Sequence, residues 1–201
     1  MTATTFPDLY FLRHGQTDWN RLGRFQGASD VPLNEIGRAQ SAQLGQALSR
    51  QLIASGMDPE RVAVLSSPLG RAVETANIVA SCLTGKGKRI SHHAALRELS
   101  HGEWEGMTTL EVKETFPVAR KARKADRWGF APPGGESPDS RVPELQALLN
   151  GITQPVVIVT HTGIIRICLS LLGVLERKTA LLEPISQEKI YRISKGSLAR
   201  I

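Results

Sequence analysis

The chain has 201 residues, 41% hydrophobic and 22% charged, with 25 Lys and Arg against 19 Asp and Glu for a formal net charge of +6. That length and apolar content suffice for one buried core, so a single domain over 1–201 is expected. The positive balance favours small anionic partners without marking a nucleic-acid binder. Two cysteines, Cys82 and Cys168, each within an apolar helical pattern, argue against a disulfide framework or a cysteine-based metal site and suit a reducing cytoplasm.

In chain order, Met1 to Asp8 shows no basic region followed by an apolar stretch and cleavage site. No uncharged run later in the chain reaches spanning length, so neither a secretory leader nor a membrane span is expected. Leu9 to Leu12 predicts a buried strand. Leu33 to Leu52 predicts a helix with Ile36, Ala39, Leu44, Ala47, Leu48 and Leu52 along one side, opened by Asn34 as N-cap. Val62 to Leu65 predicts the second strand. A helix is expected from Ser66-Ser67-Pro68 through Leu83, with Pro68 early, where its missing N–H costs little. Lys86 to Lys88 reads as a basic turn, since Gly85-Lys86-Gly87-Lys88 lacks the spacing of a phosphate-binding loop. Ile90 to Leu96 leads to a third strand at the sheet edge.

From Gly102 to Val142 the pattern loosens into a basic helical stretch and a Pro/Gly-rich run, Ala131 to Ser137. Such a segment reads as an excursion over the strand edge, where loops carry specificity. Pro155 to Val159 then predicts a strand, Gly163 to Leu172 a helix, and Ile190 to Ile193, turning at Lys195-Gly196, a last strand that pairs antiparallel. Alternating signals of this kind predict an α/β sandwich.

Two segments carry the chemistry: Leu12-Arg13-His14-Gly15 and Val159-Thr160-His161-Thr162-Gly163. Each follows an apolar strand and places a His at the edge where open α/β sheets bind ligands. A neutral imidazole is a nucleophile toward phosphorus, and a guanidinium fork binds phosphate oxygens bidentately.

Around them, Leu12 to Asn20, Phe25-Gln26-Gly27 and Asp30 to Asn34 resemble the opening signature of the histidine phosphatase superfamily, in its phosphoglycerate-mutase-like branch. Ser66 to Ala76, Leu96 to Leu99 with Gly102 to Gly106, and the His161 segment are similar to its later signatures, in the same order. The resemblance implies a three-layer α/β/α sandwich with a mostly parallel central sheet and an inserted cap, about 102–142, over the strand C-terminal edge. It implies a phosphohistidine on His14, phosphate binding by Arg13, Arg71, Asn20 and a protonated His161, and Glu98 as the carboxyl that alternates between acid and base. No metal or other cofactor is implied. Thr162 departs from the Gly that many relatives carry after this histidine, so it is expected to trim the pocket or add a hydroxyl contact to substrate.

Taken alone, His14 reads as a buried core histidine, Arg71 as the surface partner of Glu74, and Asn20 as a loop-shaping side chain. The joint pattern is what overturns those readings. Glu103 reads as solvated and Glu105 as a loop anchor. His92, His93 and His101 are metal-ligand candidates on paper, but His92 and His93 point to opposite faces of a regular strand and cannot easily share an ion. Trp19, Trp104 and Trp128 read as packed indoles. Lys113, Arg120, Lys121, Arg123, Lys124 and Arg127 read as a solvated face, with steering of an anionic substrate as the functional version; a third, nucleic-acid binding with Trp128 as a stacking platform, has no other support in the chain.

The expected function is metal-independent hydrolysis of a small phosphorylated metabolite, with no membrane or nucleic-acid partner. A phosphomutase is the second reading; Trp104 to Thr109 resembles the phosphatase type instead. A catalytically silent binding protein is the third, disfavoured because Arg13, His14, Arg71, Glu98 and His161 are all present.

Overall fold

Leu9, Tyr10, Phe11 and Leu12 are all fully buried because their strand is covered on both faces, which is what a continuous apolar run requires. The computed structural model describes residues 6–84 and 90–201. Its elements are β1 (Leu9–Arg13), α1 (Asp18–Arg21), α2 (Glu35–Ala54), β2 (Ala63–Ser66), α3 (Gly70–Thr84) and β3 (Ile90–His92). They continue with α4 (Thr109–Thr115), α5 (Pro117–Ala125), α6 (Val142–Asn150), β4 (Val156–Thr160), α7 (Thr162–Leu171), α8 (Arg177–Ala180), β5 (Ile190–Ser194) and β6 (Ser197–Arg200).

The strands form one sheet in the order β3-β2-β4-β1-β5-β6. β1, β2, β3 and β4 pair in parallel, whereas β5 lies antiparallel to β1 and β6 antiparallel to β5. The alternation of side chains along β1 builds two cores. Leu9 and Phe11 join residues of α6 and α7 on one face; Tyr10 and Leu12 join residues of α2 and α3 on the other. This is the α/β/α sandwich expected from the sequence.

Asn34 caps α2 as expected, its side chain accepting from Gly37 N–H at 2.9 Å. The buried side of that helix differs from the expected one. Ile36 is 53% exposed and Ala39 is exposed, while Gly37, Gln40 and Ser41 turn inward ahead of Leu44, Leu48 and Leu52. The first turns of α2 meet loop backbone instead of core, which selects small and polar residues there.

The helix expected from Ser66 begins at Gly70. Ser66 ends β2, Ser67 N–H still bonds the Val159 carbonyl at 2.9 Å, and Pro68 precedes the helix. β3 stops at His92, since the His93 side chain accepts from Ala95 N–H at 3.2 Å and starts a 3-10 turn over Ala94–Leu96. β6, beyond the Lys195-Gly196 turn, was not read from the sequence. The basic turn at Lys86 to Lys88 lies outside the described residues. Among the described residues no helix is long and apolar enough to cross a membrane.

The 102–142 segment holds two 3-10 turns, Gly102–Trp104 and Asp139–Arg141, with α4, α5 and a Pro/Gly-rich loop between them. A capping box between Thr108 and Glu111 opens α4. The segment is tied to the loop after β1 by Phe25 N–H to the Met107 carbonyl and Gly106 N–H to the Phe25 carbonyl, both 2.8 Å. It is thereby held over the strand edge as a cap.

Candidate active site

β1, β2 and β4 run parallel, so their C-terminal ends meet at one edge, and the residue following each is His14, Ser67 or His161. The ladder extends one bond further, with His14 N–H donating to the Thr160 carbonyl at 3.0 Å. β1 leads to helices on one face and β4 to α7 on the other, which places His14 and His161 at the topological switch point. The loop after His14 rests directly on α2. A Cβ on Gly15 would lie 2.2 Å from the Gly37 carbonyl oxygen, and one on Gly37 would lie 2.1 Å from that of Gln16.

His14 is buried, and its Nδ1 sits 2.8 Å from the Gly15 carbonyl. A carbonyl can only accept, so Nδ1 carries the hydrogen and Nε2 keeps its lone pair. Burial, reinforced by the charges of Arg13 and Arg71, holds the imidazole pKa well below the usual histidine range. At neutral pH the ring is therefore uncharged.

Arg13 donates to the Ile185 carbonyl at 2.9 Å, and burial brings its pKa down to about 10, still high enough to keep the charge. Arg71 is 1% exposed and donates to the carbonyls of Gly27 at 2.6 Å and Ser29 at 2.7 Å. Both Nε atoms are buried without a partner. The Glu74 carboxylate pairs instead with Arg38 at 2.6 Å, so the surface pair weighed for Arg71 does not form.

Arg13, His14, Asn20, Arg71, Glu98 and Thr162 line one polar cavity of about 150 Å³. Asn20 also shapes its loop. It forms a capping box with Thr17, points its amide donor at Gln26 Oε1 at 3.3 Å, and accepts from Gln187 Nε2 at 2.9 Å. The wall and the loop-shaping readings of Asn20 thus coexist.

His161 is fully buried behind His14, their ring centroids 5.0 Å apart, and is not itself on that cavity wall. Its Nε2 lies 2.7 Å from Ser67 Oγ, and its Nδ1 is buried without a partner. Burial, with His14, Arg71 and Arg13 adding to it, keeps its pKa well below the usual range.

Glu98 is 9% exposed and accepts from Leu99 N–H at 3.1 Å and Gly163 N–H at 3.2 Å. A Cβ on Gly163 would lie 2.6 Å from Glu98 Oε1, so a side chain there would push the carboxyl aside. Position 162, at the first turn of α7, tolerates a side chain. Glu98 and Thr162 also face a second, slightly larger chamber of about 190 Å³, whose wall includes Phe25, Arg123, Arg127, Phe130 and Arg166.

Of the other candidates, Glu105 is the loop anchor expected, accepting from Ala28, Ser29 and His101 N–H groups, while Glu103 is exposed. Trp104 and Trp128 are buried, Trp128 donating to the Arg177 carbonyl at 2.6 Å; Trp19 is half-buried against Gly106. His92 and His93 are exposed at the end of β3, and His101 lines both chambers. Among the described residues no three His, Cys, Asp or Glu side chains gather as an ion site.

The basic run is not a uniform solvated face. Lys113, Lys121 and Lys124 are exposed, but Arg123 turns inward over the rings of Phe25 and Trp104, 5.6 Å from each centroid. Sequence reasoning gave no role to Gln26, although it stands in the Phe25-Gln26-Gly27 signature, and missed Gln187 and Arg166. Of the last two only Arg166 carried a signal, four residues after Thr162 on one helix face.

A parallel-sheet edge bearing a neutral histidine, two buried arginines and a carboxyl at the mouth defines an α/β phosphatase, a phosphoric monoester hydrolase. The chain belongs to the histidine phosphatase superfamily (branch 1), whose family model matches residues 9–194. It is 36% identical over 170 residues to a glucosyl-3-phosphoglycerate phosphatase of Mycolicibacterium vanbaalenii, covering 78% of this chain and 70% of that protein. It is 33% identical over 164 residues to phosphoserine phosphatase 1 of Hydrogenobacter thermophilus, covering 77% and 70%. Among solved structures, a mycobacterial glucosyl-3-phosphoglycerate phosphatase complexed with VO3 superposes with a TM-score of 0.77 at 27% identity, over 97% of this chain and 96% of that one.

Proposed function

We propose that the chain hydrolyses a small phosphorylated metabolite in the cytoplasm through a phosphohistidine on His14, without a metal ion. The observation that carries this reading is the state of His14: neutral, its tautomer set by the Gly15 carbonyl, its Nε2 free, and Arg13 and Arg71 on the same cavity. The names of the two relatives refer to small phosphomonoesters, which supports a substrate of that size.

In the first step Nε2 of His14 attacks phosphorus, the P–O ester bond breaks, and the leaving oxygen takes the proton of Glu98. In the second, the Glu98 carboxylate removes a proton from water, whose oxygen attacks the phosphorus and returns the electron pair to Nε2. Arg13 and Arg71 hold the equatorial oxygens, and the charge that develops there is met by guanidinium groups already fixed by the Ile185, Gly27 and Ser29 carbonyls. Asn20 contributes from the loop wall and Thr162 from the first turn of α7. His161 acquires its proton when a phosphate dianion offsets the neighbouring cations, and then adds a donor from behind His14.

The test is turnover of 4-nitrophenyl phosphate in EDTA, with brief exposure to labelled substrate and an alkaline quench. Hydrolysis persists in chelator, acid-labile label appears on the protein, and His14→Ala abolishes both. Loss of activity in EDTA restored by a divalent ion overturns the metal-free reading; label and turnover surviving in His14→Ala overturn the nucleophile.

A further inference from the structure

Three side-chain amides, Gln187, Asn20 and Gln26, stand in a row, and backbone groups that bond in one sense only fix the direction of each. The His14 carbonyl can only accept, so Gln187 turns its Nε2 toward it at 3.2 Å, and the same NH2 donates to Asn20 Oδ1 at 2.9 Å. At the other end the Val31 carbonyl accepts from Gln26 Nε2 at 3.3 Å. Gln26 Oε1 is left to receive Asn20 Nδ2 at 3.3 Å and Thr17 Oγ1 at 2.9 Å. In the middle, Thr17 N–H can only donate and reaches Asn20 Oδ1 at 3.3 Å.

An asparagine side chain can accept twice and donate twice. In Asn20 both acceptor positions are filled, by Gln187 and Thr17, and one donor is used by Gln26. Its unspent bond is therefore an N–H, on a residue that lines the polar cavity. A reversed amide would set oxygen against Gln26 Oε1 and NH2 against the donors of Thr17 and Gln187, and would offer an acceptor to an entering anion. Of the three contacts that oppose reversal, the one from Gln187 is the shortest.

Gln187 is itself held in place. The segment before it is braced by the buried Tyr191, whose hydroxyl accepts from Ser186 N–H at 2.7 Å and donates to the Pro184 carbonyl at 3.0 Å. The same segment supplies the Ile185 carbonyl that takes Arg13. Building on the hydrolysis proposed above, we propose that Gln187 is a positioning residue for phosphate binding: its NH2 ties the His14 backbone to the Asn20 side chain and turns the Asn20 amide so that the free N–H meets the phosphoryl oxygens. A neutral amide achieves this without a carboxylate that would compete with phosphate for Arg13 and Arg71.

Gln187→Met keeps the length of the side chain and removes the donor. Its kcat/KM on 4-nitrophenyl phosphate and its affinity for inorganic phosphate, measured by calorimetry, each fall about three- to tenfold, the worth of one hydrogen bond. In an Asn20→Ala background the same substitution changes either quantity by less than about twofold, because the group it acts through is gone. Lys189→Gln, at an exposed neighbour, leaves both as in the parent. In the 15N-labelled parent the Asn20 side-chain NH2 resonance, assigned by its absence from Asn20→Ala, moves when inorganic phosphate is added, a readout that needs no substitution at Gln187. Parent-like phosphate affinity in Gln187→Met, an equal loss with and without Asn20, or a resonance that phosphate does not move overturns the proposal. Phosphate binding that follows the expected pattern while no ester is turned over overturns the hydrolysis reading instead, so the two failures are distinct.

Discussion

Glu105→Gln is a one-atom change whose effect can be worked from the structure. Glu105 Oε1 accepts from Ala28 N–H at 2.9 Å, His101 N–H at 3.0 Å and Ser100 Oγ at 3.2 Å; Oε2 accepts from Ser29 N–H at 3.0 Å and Ser29 Oγ at 2.5 Å. The loop so held presents the Gly27 and Ser29 carbonyls to Arg71. Glu105 is therefore a positioning residue for that guanidinium. In its better rotamer Gln keeps the Oε1 set but turns an NH2 toward Ser29, whose hydroxyl can rotate to accept while its backbone N–H cannot. One orphaned backbone donor costs about 1–3 kcal/mol, and the remaining bonds lose their charge assistance. Partial solvent access to the loop favours the lower part of the sum, about 2–3 kcal/mol. Urea unfolding of both proteins at pH 7, with kcat/KM on 4-nitrophenyl phosphate measured alongside, checks it. Destabilisation below about 0.5 kcal/mol with full activity would refute the reasoning. The pH dependence gives a second check. Burial alone raises the Glu105 pKa, but hydrogen bonds from Ser29, Ala28 and His101 outweigh it and leave the pKa lowered. A depressed carboxylate stabilises above its unfolded pKa of about 4.3, and that stability is lost as pH falls through the folded value, so the gap between the two proteins narrows in acid.

Glu98→Gln slows alkyl phosphates about 10²–10⁴-fold and aryl phosphates with good leaving groups far less; equal slowing of both shows that Glu98 is not the acid. Gly163→Ala places a Cβ 2.6 Å from the present Glu98 Oε1, so it lowers kcat on alkyl phosphates, and parent-like kcat would show that the contact relaxes freely. His14 and His161 have folded pKa values held well below 6.5, so the unfolded chain takes up protons first. Stability is insensitive to them above about pH 6.5 and falls below it by at most about 1.4 kcal/mol per pH unit per histidine. A pH-independent urea midpoint between pH 7 and 5 would contradict this.

What could be read from the sequence follows the physics of each element. β1 and β4 are central strands covered on both faces, so unbroken apolar runs announced them. The face of α2 was misread at Ile36 and Ala39 because its first turns pack on the backbone around Gln16, where hydrophobicity carries no information. β6 is a four-residue edge strand with mostly exposed side chains, too weakly patterned to stand out. At the site, the signature residues His14, Arg13, Arg71, Glu98, Asn20 and Thr162 line one cavity. The motif did not reveal that His161 lies behind the wall. Gln187 meets Asn20 across 167 positions with no local pattern to mark it. Arg123 looked like its basic neighbours, and only the tertiary placement of Phe25 and Trp104 separates it from them.

The site concentrates features that a stability-only design would avoid. The Nε atoms of Arg13 and Arg71 and Nδ1 of His161 are buried without partners, at a cost of about 1–3 kcal/mol each, and two guanidinium groups are held beside a pair of imidazoles. The same burial produces the chemistry. It keeps the proton off His14 and so leaves the imidazole lone pair that the proposed nucleophile needs at neutral pH. It also lowers the local dielectric, so that an anion entering the cavity is attracted more strongly than it would be in water. The two effects cannot be separated, because a more exposed His14 would be protonated more readily and would face arginines screened by solvent. Carbonyls of Gly15, Gly27, Ser29 and Ile185, instead of carboxylates, orient these side chains, which fixes geometry without cancelling positive charge. An acidic partner in any of those places would anchor the arginine equally well and would compete with the phosphate for it.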